Sequence, residues 1–298
     1  MMSKQRRPDF GRRIILQTAL AAPLAAPLAA RIFAIGSARG AEPLRVGMVP
    51  DAGATQVSIR EKDPLRNFLA AQIGGPVELI IPTSYNATVE GLGNGSLDVA
   101  YLGGLTYVKA RERYKVVPLV QRKVDQQFHS VMIAHAGSGI HSIADLKGKS
   151  FAFGDINSTS GHLFAYLAMK QAGLNVRTDL KSTRYTGSHT ATAQTVASGV
   201  ADAGSLDETV LHGMLADGKI PANSVYIFYT SPPFADYVWV ARAGLPAATQ
   251  DKVAGAFLGL KAGRDDAILQ ILRAGDFVRA NDAEYDQVRQ VGHELGLL

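Results

Sequence analysis

The chain has 298 residues, of which 47% are hydrophobic and 19% charged, and it contains no cysteine. A chain of this length can bury a substantial core, and the lack of cysteine excludes disulfides, a thiolate nucleophile and a cysteine-ligated metal. The formal net charge is +5, but residues 1–41 hold seven basic residues and one acidic one, which leaves 24 basic and 25 acidic residues elsewhere. The body of the protein therefore has no overall basic field for holding nucleic acid.

Residues 1–41 have the pattern of an export signal. Arg12 and Arg13 precede a stretch over 14–30 that is rich in alanine and interrupted by two prolines, and small residues follow near 40–42. The arginine pair is typical of a twin-arginine signal, while an ordinary secretory signal stays an alternative. Both predict a cleaved leader and a periplasmic protein.

Beyond the leader, strand and helix patterns alternate along the chain, which predicts an α/β fold with parallel sheets covered by helices on both faces. The apolar runs predict strands at 44–49, 77–81, 97–102, 116–120, 130–134, 150–153, 181–185, 201–206, 225–229 and 237–241. Helical spacing predicts helices at 61–73, 86–95, 105–113, 160–172, 190–198, 250–262, 264–273 and 282–296.

Two pairs of consecutive extended stretches break this alternation, one around 116–135 and one around 225–241. The simplest interpretation is that a second α/β lobe, 128–234, is inserted into a first lobe built from 42–127 and 235–298. Two crossings would then join the lobes as a hinge. The cleft between the strand ends is where small ligands bind in such folds.

The strongest local signal is the run Ser158-Thr159-Ser160, which follows a predicted strand and opens a helix. Unpaired amides at a helix start bind anions, and the three hydroxyls are further donors. No lysine occurs in the run, so it is not a Walker-type phosphate loop. Simple helix capping is the alternative, because serine and threonine are favoured caps.

Four further residues lie at predicted strand ends or crossings. His189, at a helix start, is a candidate donor to an oxyanion, although a structural histidine is the commoner case. Tyr85, at the end of the second strand region, and Tyr101, on the third strand, offer phenol donors, although packing is the usual role of tyrosine. Phe128, at the first crossing, is expected to flank the mouth of the cleft.

Two aspartates are candidates with ambiguous roles. Asp236, in the second crossing, is expected to accept a hydrogen bond from a protonated ligand oxygen or to pair with a ligand amine, because an ionised carboxylate repels an anion. Its alternative role is capping a turn. Asp207 has the same ambiguity, with helix capping as the alternative.

Arrangements that carry out catalysis are missing from the sequence. It has no G-x-S-x-G elbow, no dinucleotide fingerprint and no histidines at metal-ligand spacing. We therefore predict a protein without catalytic activity, metal or cofactor. An enzyme that uses His189 as an acid/base is the alternative.

These motifs resemble the phosphate/phosphite/phosphonate substrate-binding proteins of ABC transporters. The resemblance covers about 44–296 and is most specific in 157–161, followed by Gly187-Ser188-His189; the stretch 143–149 is less specific. It implies a type II periplasmic-binding-protein fold, in which two α/β lobes are joined by two hinge crossings with the ligand cleft between them.

The resemblance also implies roles for single residues. Ser158, Thr159 and Ser160 would grip the phosphorus oxygens, a tyrosine of the first lobe, here Tyr85, would close on them, and the family histidine and aspartate match His189 and Asp236. The chain departs from the family at two positions. Phe128 stands where some phosphonate binders have tyrosine, and Thr209 stands where some aminoalkylphosphonate binders have glutamate.

The missing glutamate favours a small ligand without an amino group, such as phosphite or a simple phosphonate. The partners implied by the resemblance are this phosphorus oxyanion, an ABC permease of the inner membrane and, through the leader, the twin-arginine export machinery. No nucleic-acid partner is expected, and we predict a monomer. A sulfonate or a dicarboxylate in the same fold stays an alternative.

Overall fold

A computed structural model describes residues 42–50 and 60–298. The predicted export signal lies outside the described residues. Within the part that is described, no helix combines the length and the apolar character needed to cross a membrane.

The described strands follow the apolar runs of the sequence. They are β1 (Leu44–Met48), β2 (Val77–Ile80), β3 (Val99–Leu102), β4 (Val117–Arg122), β5 (Ser130–His135), β6 (Ser150–Phe153), β7 (Ser182–Tyr185), β8 (Ala203–Asp207), β9 (Val225–Thr230), β10 (Val238–Ala241) and β11 (Phe277–Arg279). The last strand was not predicted, because three residues are too few to show a period.

The helices lie between these strands and after β10. They are α1 (Asp63–Ile73), α2 (Tyr85–Asn94), α3 (Gly104–Tyr114), α4 (Phe164–Gln171), α5 (His189–Ala197), α6 (Glu208–Ala216), α7 (Ala247–Leu258), α8 (Asp266–Leu272) and α9 (Asp286–Glu294). Short 3-10 turns cover Lys123–Gln127, Ile143–Leu146 and Asp282–Tyr285, and a π-helical turn, Thr159–Leu163, leads into α4. Helix α6 was not predicted.

The strands form two sheets, and both are mixed rather than parallel. The first has the order β11-β4-β10-β3-β1-β2 and the second β7-β6-β8-β5-β9. In the first sheet β1 runs parallel to β2 and β3, whereas β10 is antiparallel to β3 and β4. In the second sheet β6 runs parallel to β7 and β8, whereas β5 is antiparallel to β8 and β9.

The expectation of parallel sheets is therefore wrong, and the crossings explain why. Strand β10 begins at Val238, opposite Leu102 at the end of β3, and β5 begins at Ser130, opposite Asp207 at the end of β8. Each strand enters its sheet from a crossing at the carboxyl edge, not through a helix that returns the chain to the other edge. It must therefore run against its neighbour.

The two crossings are hydrogen-bonded to each other. Phe128 and Phe234 exchange both backbone hydrogen bonds, with N···O distances of 2.9 and 3.0 Å. One step further along, the amide of Asp236 donates to the carbonyl of Asp125 at 3.0 Å. The crossings thus form a short antiparallel ribbon between the carboxyl edges of the two sheets.

Helices cover both faces of each sheet and bury its apolar side chains. On one face of the first sheet the fully buried Trp239 stacks on Phe257 of α7, with ring centroids 4.6 Å apart. The second sheet packs β5 and β8 against α5 and α6 through Val131, Leu206 and other aliphatic side chains. This burial is the main favourable contribution to folding, and it holds the strand ends at which polar side chains gather.

Candidate functional site

The turn after β6 begins a helix whose first residues are buried. Ser158 is the N-cap, and its hydroxyl accepts a hydrogen bond from the amide of Gly161 at 3.0 Å. The amide of Leu163 donates to the carbonyl of Ser158 at 3.0 Å, which gives the turn its wider, π-helical winding. Capping is therefore one real role of Ser158, and its hydroxyl hydrogen stays available as a donor.

Thr159 and Ser160 do not cap their own helix. The Thr159 hydroxyl accepts from the amide of Leu105, the second residue of α3, at 3.0 Å. The Ser160 hydroxyl is completely buried and has no hydrogen-bond partner among the described residues. Leaving a buried hydroxyl unpaired costs about 1–3 kcal/mol. An anion at this helix start would receive hydrogen bonds from Ser160 and from the first-turn amides.

Gly161 allows the turn to pack this closely. A Cβ atom at this position would lie 3.0 Å from the Ser158 hydroxyl oxygen, 3.2 Å from Gly154 Cα and 3.2 Å from His189 Cε1. Two of these neighbours are backbone or ring atoms with little room to move. Glycine is thus needed here for close approach.

His189 is the first residue of α5 and is buried beside the turn. Its Nδ1 accepts a hydrogen bond from the amide of Asp207 at 3.2 Å, so this nitrogen must carry a lone pair. The proton of the neutral ring then lies on Nε2, which is 3.0 Å from the Tyr237 hydroxyl and 3.3 Å from the Tyr85 hydroxyl. His189 thus connects the second sheet to two phenols, one at the start of α2 and one in the second crossing.

Tyr85 does not end a strand as expected. Strand β2 stops at Ile80, and Tyr85 is the first residue of α2, which is capped by Ser84 through a hydrogen bond from the Ala87 amide at 3.1 Å. The helix start holds the phenol ring in the core, 1% exposed, with its hydroxyl at His189.

Tyr101 and Phe128 lie in an aromatic wall behind these donors. Tyr101 stacks on Tyr237 with ring centroids 5.0 Å apart, and Phe128 meets Tyr237 edge-on at 5.7 Å. Phe128 is 2% exposed, so it is part of the wall rather than of an open mouth. Burial raises the pKa of Tyr101 and of Tyr237 well above the ordinary value. Both phenols therefore stay protonated at neutral pH.

Asp236 lies against the start of α3. Its Oδ1 accepts from the amide of Gly104 at 2.8 Å, and the Thr159 side chain is a second hydrogen-bond partner. Burial raises the pKa of Asp236 to about 7, although these two hydrogen bonds favour the ionised form. The side chain can thus either accept or donate a hydrogen bond near neutral pH.

Asp207 takes the capping role that was the alternative for it. Its carboxylate accepts from the amide of Val210 at 3.0 Å and from the Thr209 hydroxyl at 2.7 Å at the start of α6. Burial acts against ionisation, but His189 and Arg122 nearby outweigh it, and the pKa of Asp207 is lowered. Its amide orients His189, so Asp207 also acts on the site through its backbone.

Sequence reasoning missed a buried ion pair below the aromatic wall. Arg122 ends β4, and its Nε donates to Asp125 at 2.8 Å, while Nη1 donates to the Leu272 carbonyl at 3.2 Å. The guanidinium carbon lies 5.3 Å from the Tyr237 ring centroid. Burial raises the pKa of Asp125 to about 6, against the effect of Arg122. Both residues stand in a polar stretch of sequence that resembles any surface loop, so no local signal marks them.

Tyr237 was also missed, although it follows Asp236 directly and its hydroxyl lies 3.0 Å from His189 Nε2. The structure thus brings Tyr85, Thr159, His189, Asp236 and Tyr237 together around the turn of Ser158 and Ser160. Tyr101 and Phe128 stand behind them, and Asp207 acts through His189.

Known proteins resemble this chain both in sequence and in structure. The profile of a family described as the phosphonate periplasmic substrate-binding protein of ABC transporters matches residues 46–285. The probable ABC transporter phosphite binding protein PhnD1 of Prochlorococcus marinus (strain MIT 9301) is 29% identical over 270 residues, covering 85% of this chain and 89% of that protein. The phosphonates-binding periplasmic protein of Escherichia coli (strain K12) is 25% identical over 239 residues, covering 76% of this chain and 70% of that protein.

Solved structures of similar binding proteins have the same fold as this chain. The structure of Prochlorococcus marinus PhnD1 in complex with methylphosphonate superposes with a TM-score of 0.80 at 28% identity, covering 86% of this chain and 98% of that one. A binding protein component of an ABC phosphonate transporter from Pseudomonas aeruginosa, 21% identical, covers 84% of this chain and 85% of that one with a TM-score of 0.76 and supports the fold. The predicted two-lobed, type II binding-protein fold is confirmed. Because the family profile spans most of the chain, this protein belongs to the family of periplasmic substrate-binding proteins of phosphonate ABC transporters.

Proposed function

We propose that this protein captures a small phosphorus oxyanion, phosphite or a simple phosphonate, at the helix start of Ser158, Thr159 and Ser160. The observation that carries the proposal is the buried Ser160 hydroxyl, which has no partner among the described residues. It stands beside first-turn amides, which carry the positive end of the helix dipole. A tetrahedral anion would give the Ser160 hydroxyl the acceptor that it lacks among the described residues and would add an acceptor for the amides.

The second half of the binding shell would come from across the cleft. We infer that residues 42–127 and 235–298 form one lobe and 128–234 the other, and that the lobes close around the ligand. Tyr85 and His189 would then donate to the remaining oxygens, and Asp236 would accept from a protonated one. Hydrogen bonds to a charged group contribute about 1.5–3 kcal/mol each, so a few such bonds are enough for micromolar binding, about −8 kcal/mol.

Two features favour a small ligand without an amino group. The Thr209 hydroxyl donates to Asp207 at 2.7 Å, so the position held by glutamate in some aminoalkylphosphonate binders serves helix capping here. The aromatic wall of Tyr101, Phe128 and Tyr237 offers an apolar surface to one substituent of the phosphorus atom. The relatives are named for phosphite, for phosphate and for phosphonates, and one is solved with methylphosphonate.

The same proposal covers the partners of the protein. The chain is exported through its leader, by the twin-arginine machinery, and works in the periplasm as a monomer. Closed and loaded, it delivers the ligand unchanged to an ABC permease of the inner membrane, as expected for a transporter component. His189 donates a hydrogen bond to the ligand in this scheme and carries out no acid/base chemistry.

Calorimetry with phosphite, phosphate, methylphosphonate, 2-aminoethylphosphonate and a sulfonate, at two pH values, tests the proposal. We expect phosphite or methylphosphonate to bind most tightly, and phosphorus NMR to show that the bound compound is not turned over. Tightest binding of the sulfonate would overturn the ligand class, and turnover would overturn the role as a carrier.

A further inference from the structure

Helix α3 uses one of its faces to contact the ligand turn, residues 157–160, which follows β6 of the second sheet. The Leu105 amide donates to the Thr159 hydroxyl at 3.0 Å, and the Thr106 hydroxyl donates to the Asn157 carbonyl at 3.1 Å. The ammonium group of Lys109 donates to the side-chain oxygen of Asn157 at 2.6 Å. These positions share a face because residues three and four apart are neighbours on a helix.

Asn157 is well suited to transmit these contacts to the ligand turn. It directly precedes Ser158, is 9% exposed, and its own amide donates to the Asp155 carboxylate at 2.8 Å. Its backbone carbonyl and its side-chain oxygen both accept from α3. Its amide thus holds it to the segment after β6, and its two oxygens hold it to α3.

Lys109 is costly for the stability of the protein. Half-burial of its ammonium group lowers its pKa, and the attraction of Asp155 offsets that effect only in part. Its hydrogen-bond acceptor is a neutral amide, which compensates less of the free energy of desolvating the ammonium group than a carboxylate would. A half-buried lysine with this partner contributes little to folding of either lobe alone, and its contact exists only when α3 meets the turn.

We propose that Lys109 and Asn157 form a clasp between the lobes, which sets the closed population and so the ligand affinity without touching the ligand. The inference rests on the proposed function and on the division into two lobes. Apparent affinity falls in proportion to the fraction of molecules in the binding-competent state. Loss of the clasp therefore weakens binding and speeds ligand release.

The test compares wild type with Lys109→Met, which keeps the length and the apolar stem of the side chain. We expect phosphite and methylphosphonate to bind about tenfold more weakly, mainly through faster dissociation in stopped flow. In an Asn157→Ala background the same change should have little further effect, because the clasp is already lost. Spin labels on the two lobes should report the same separation in both proteins at saturating ligand.

Lys170→Met is the matched control. The Lys170 ammonium lies 2.9 Å from Glu294, also between the two proposed lobes, but both side chains are about half exposed. Exposed ion pairs contribute little, so this variant should bind within about twofold of wild type. Wild-type affinity of Lys109→Met, equal losses in both lysine variants, or a loss that adds fully to that of Asn157→Ala would overturn the clasp.

Failure of the proposed function gives a different result. If wild type binds neither phosphite nor methylphosphonate, the ligand assignment fails, whatever the variants do. The clasp is then judged by the spin-label distances without ligand. A wider separation in Lys109→Met than in wild type supports the clasp, and identical distance distributions overturn it.

Discussion

The amide of Asp207, at the end of β8, donates to Nδ1 of His189, at the start of α5, over 3.2 Å. The contact fixes both the orientation and the tautomer of the ring, because only Nε2 can then carry the proton of the neutral form. In nitrogen-15 NMR spectra at pH 8, we expect Nδ1 of His189 to have the shift of an unprotonated nitrogen. A protonated Nδ1 at that pH would contradict this assignment.

Changing Ser160 to alanine should move stability and binding in opposite directions. The variant removes a buried hydroxyl without a partner among the described residues, so the ligand-free protein should be as stable as wild type or more stable. Affinity for phosphite or methylphosphonate should fall about 10- to 150-fold, the equivalent of one hydrogen bond to a charged group. Thermal unfolding and calorimetry measure the two effects.

Ser205 provides the comparison for Ser160. It is equally buried, but its hydroxyl donates to the carbonyl of Gly161 at 2.8 Å. Ser205→Ala should therefore lower the free energy of unfolding by about 1 kcal/mol and leave binding closer to wild type. If Ser160→Ala destabilises the free protein as Ser205→Ala does, Ser160 is a structural residue.

Removing the Tyr85 hydroxyl separates its polar role from its packing role. Tyr85→Phe keeps the ring in the core but removes the hydroxyl that lies 3.3 Å from His189 Nε2. We expect affinity to fall about tenfold with little loss of stability. Tyr226→Phe is the control: it removes a hydroxyl that donates to the Ile140 carbonyl at 2.7 Å, and Tyr226 pairs with Ala134, near the opposite end of β5 from Ser130, which contacts the turn. Equal affinities in the two variants would exclude Tyr85 from the binding shell.

The pH dependence of stability should report Asp236. Its pKa is about 7 in the folded protein, above the ordinary value of 3.8. The folded state therefore binds more protons than the unfolded state between these values, and the free energy of unfolding falls as pH rises from 4 to 7. The loss is on the order of a few kcal/mol.

Asp236→Asn should remove most of this pH dependence and be more stable than wild type at pH 8. Asparagine can still accept from the Gly104 amide, so the cap of α3 is kept. Asp125, whose pKa is raised to about 6, would leave a smaller slope of the same sign below that pH. Urea unfolding at several pH values measures both slopes, and parallel curves for wild type and variant would show that Asp236 is ionised throughout.

Local patterns in the sequence predict most of the elements. Runs of apolar residues predict the strands within a few residues of their observed ends. Ser158 and Gly161 indicate the helix start that leads into α4. Helix α6 has the same signals, with Asp207 as its cap and Val210, Leu211 and Met214 buried, and was overlooked. The directions of β5 and β10 are set by the crossings, which have no period of their own.

The candidate site is only partly local in sequence. Ser158, Thr159 and Ser160 are adjacent, so their helix start is visible from a short segment. Other residues matter only through contacts between distant parts of the chain, as Lys109 does with Asn157. Tyr237 and the Arg122–Asp125 pair are further examples. Such long-range contacts cannot be predicted from local patterns in a single sequence.

The paired backbones of Phe128 and Phe234 have a consequence for the proposed closure of the lobes. We expect this hydrogen-bonded ribbon to restrain twisting and sliding between the lobes and to favour bending about a single axis, which two unconnected crossings would not do. Asp125 and Asp236 lie on the same ribbon, so a change of charge at either carboxylate acts directly at the proposed hinge. A one-residue insertion in one crossing would shift its hydrogen bonds out of register with the other crossing. Both crossings would then lose stiffness.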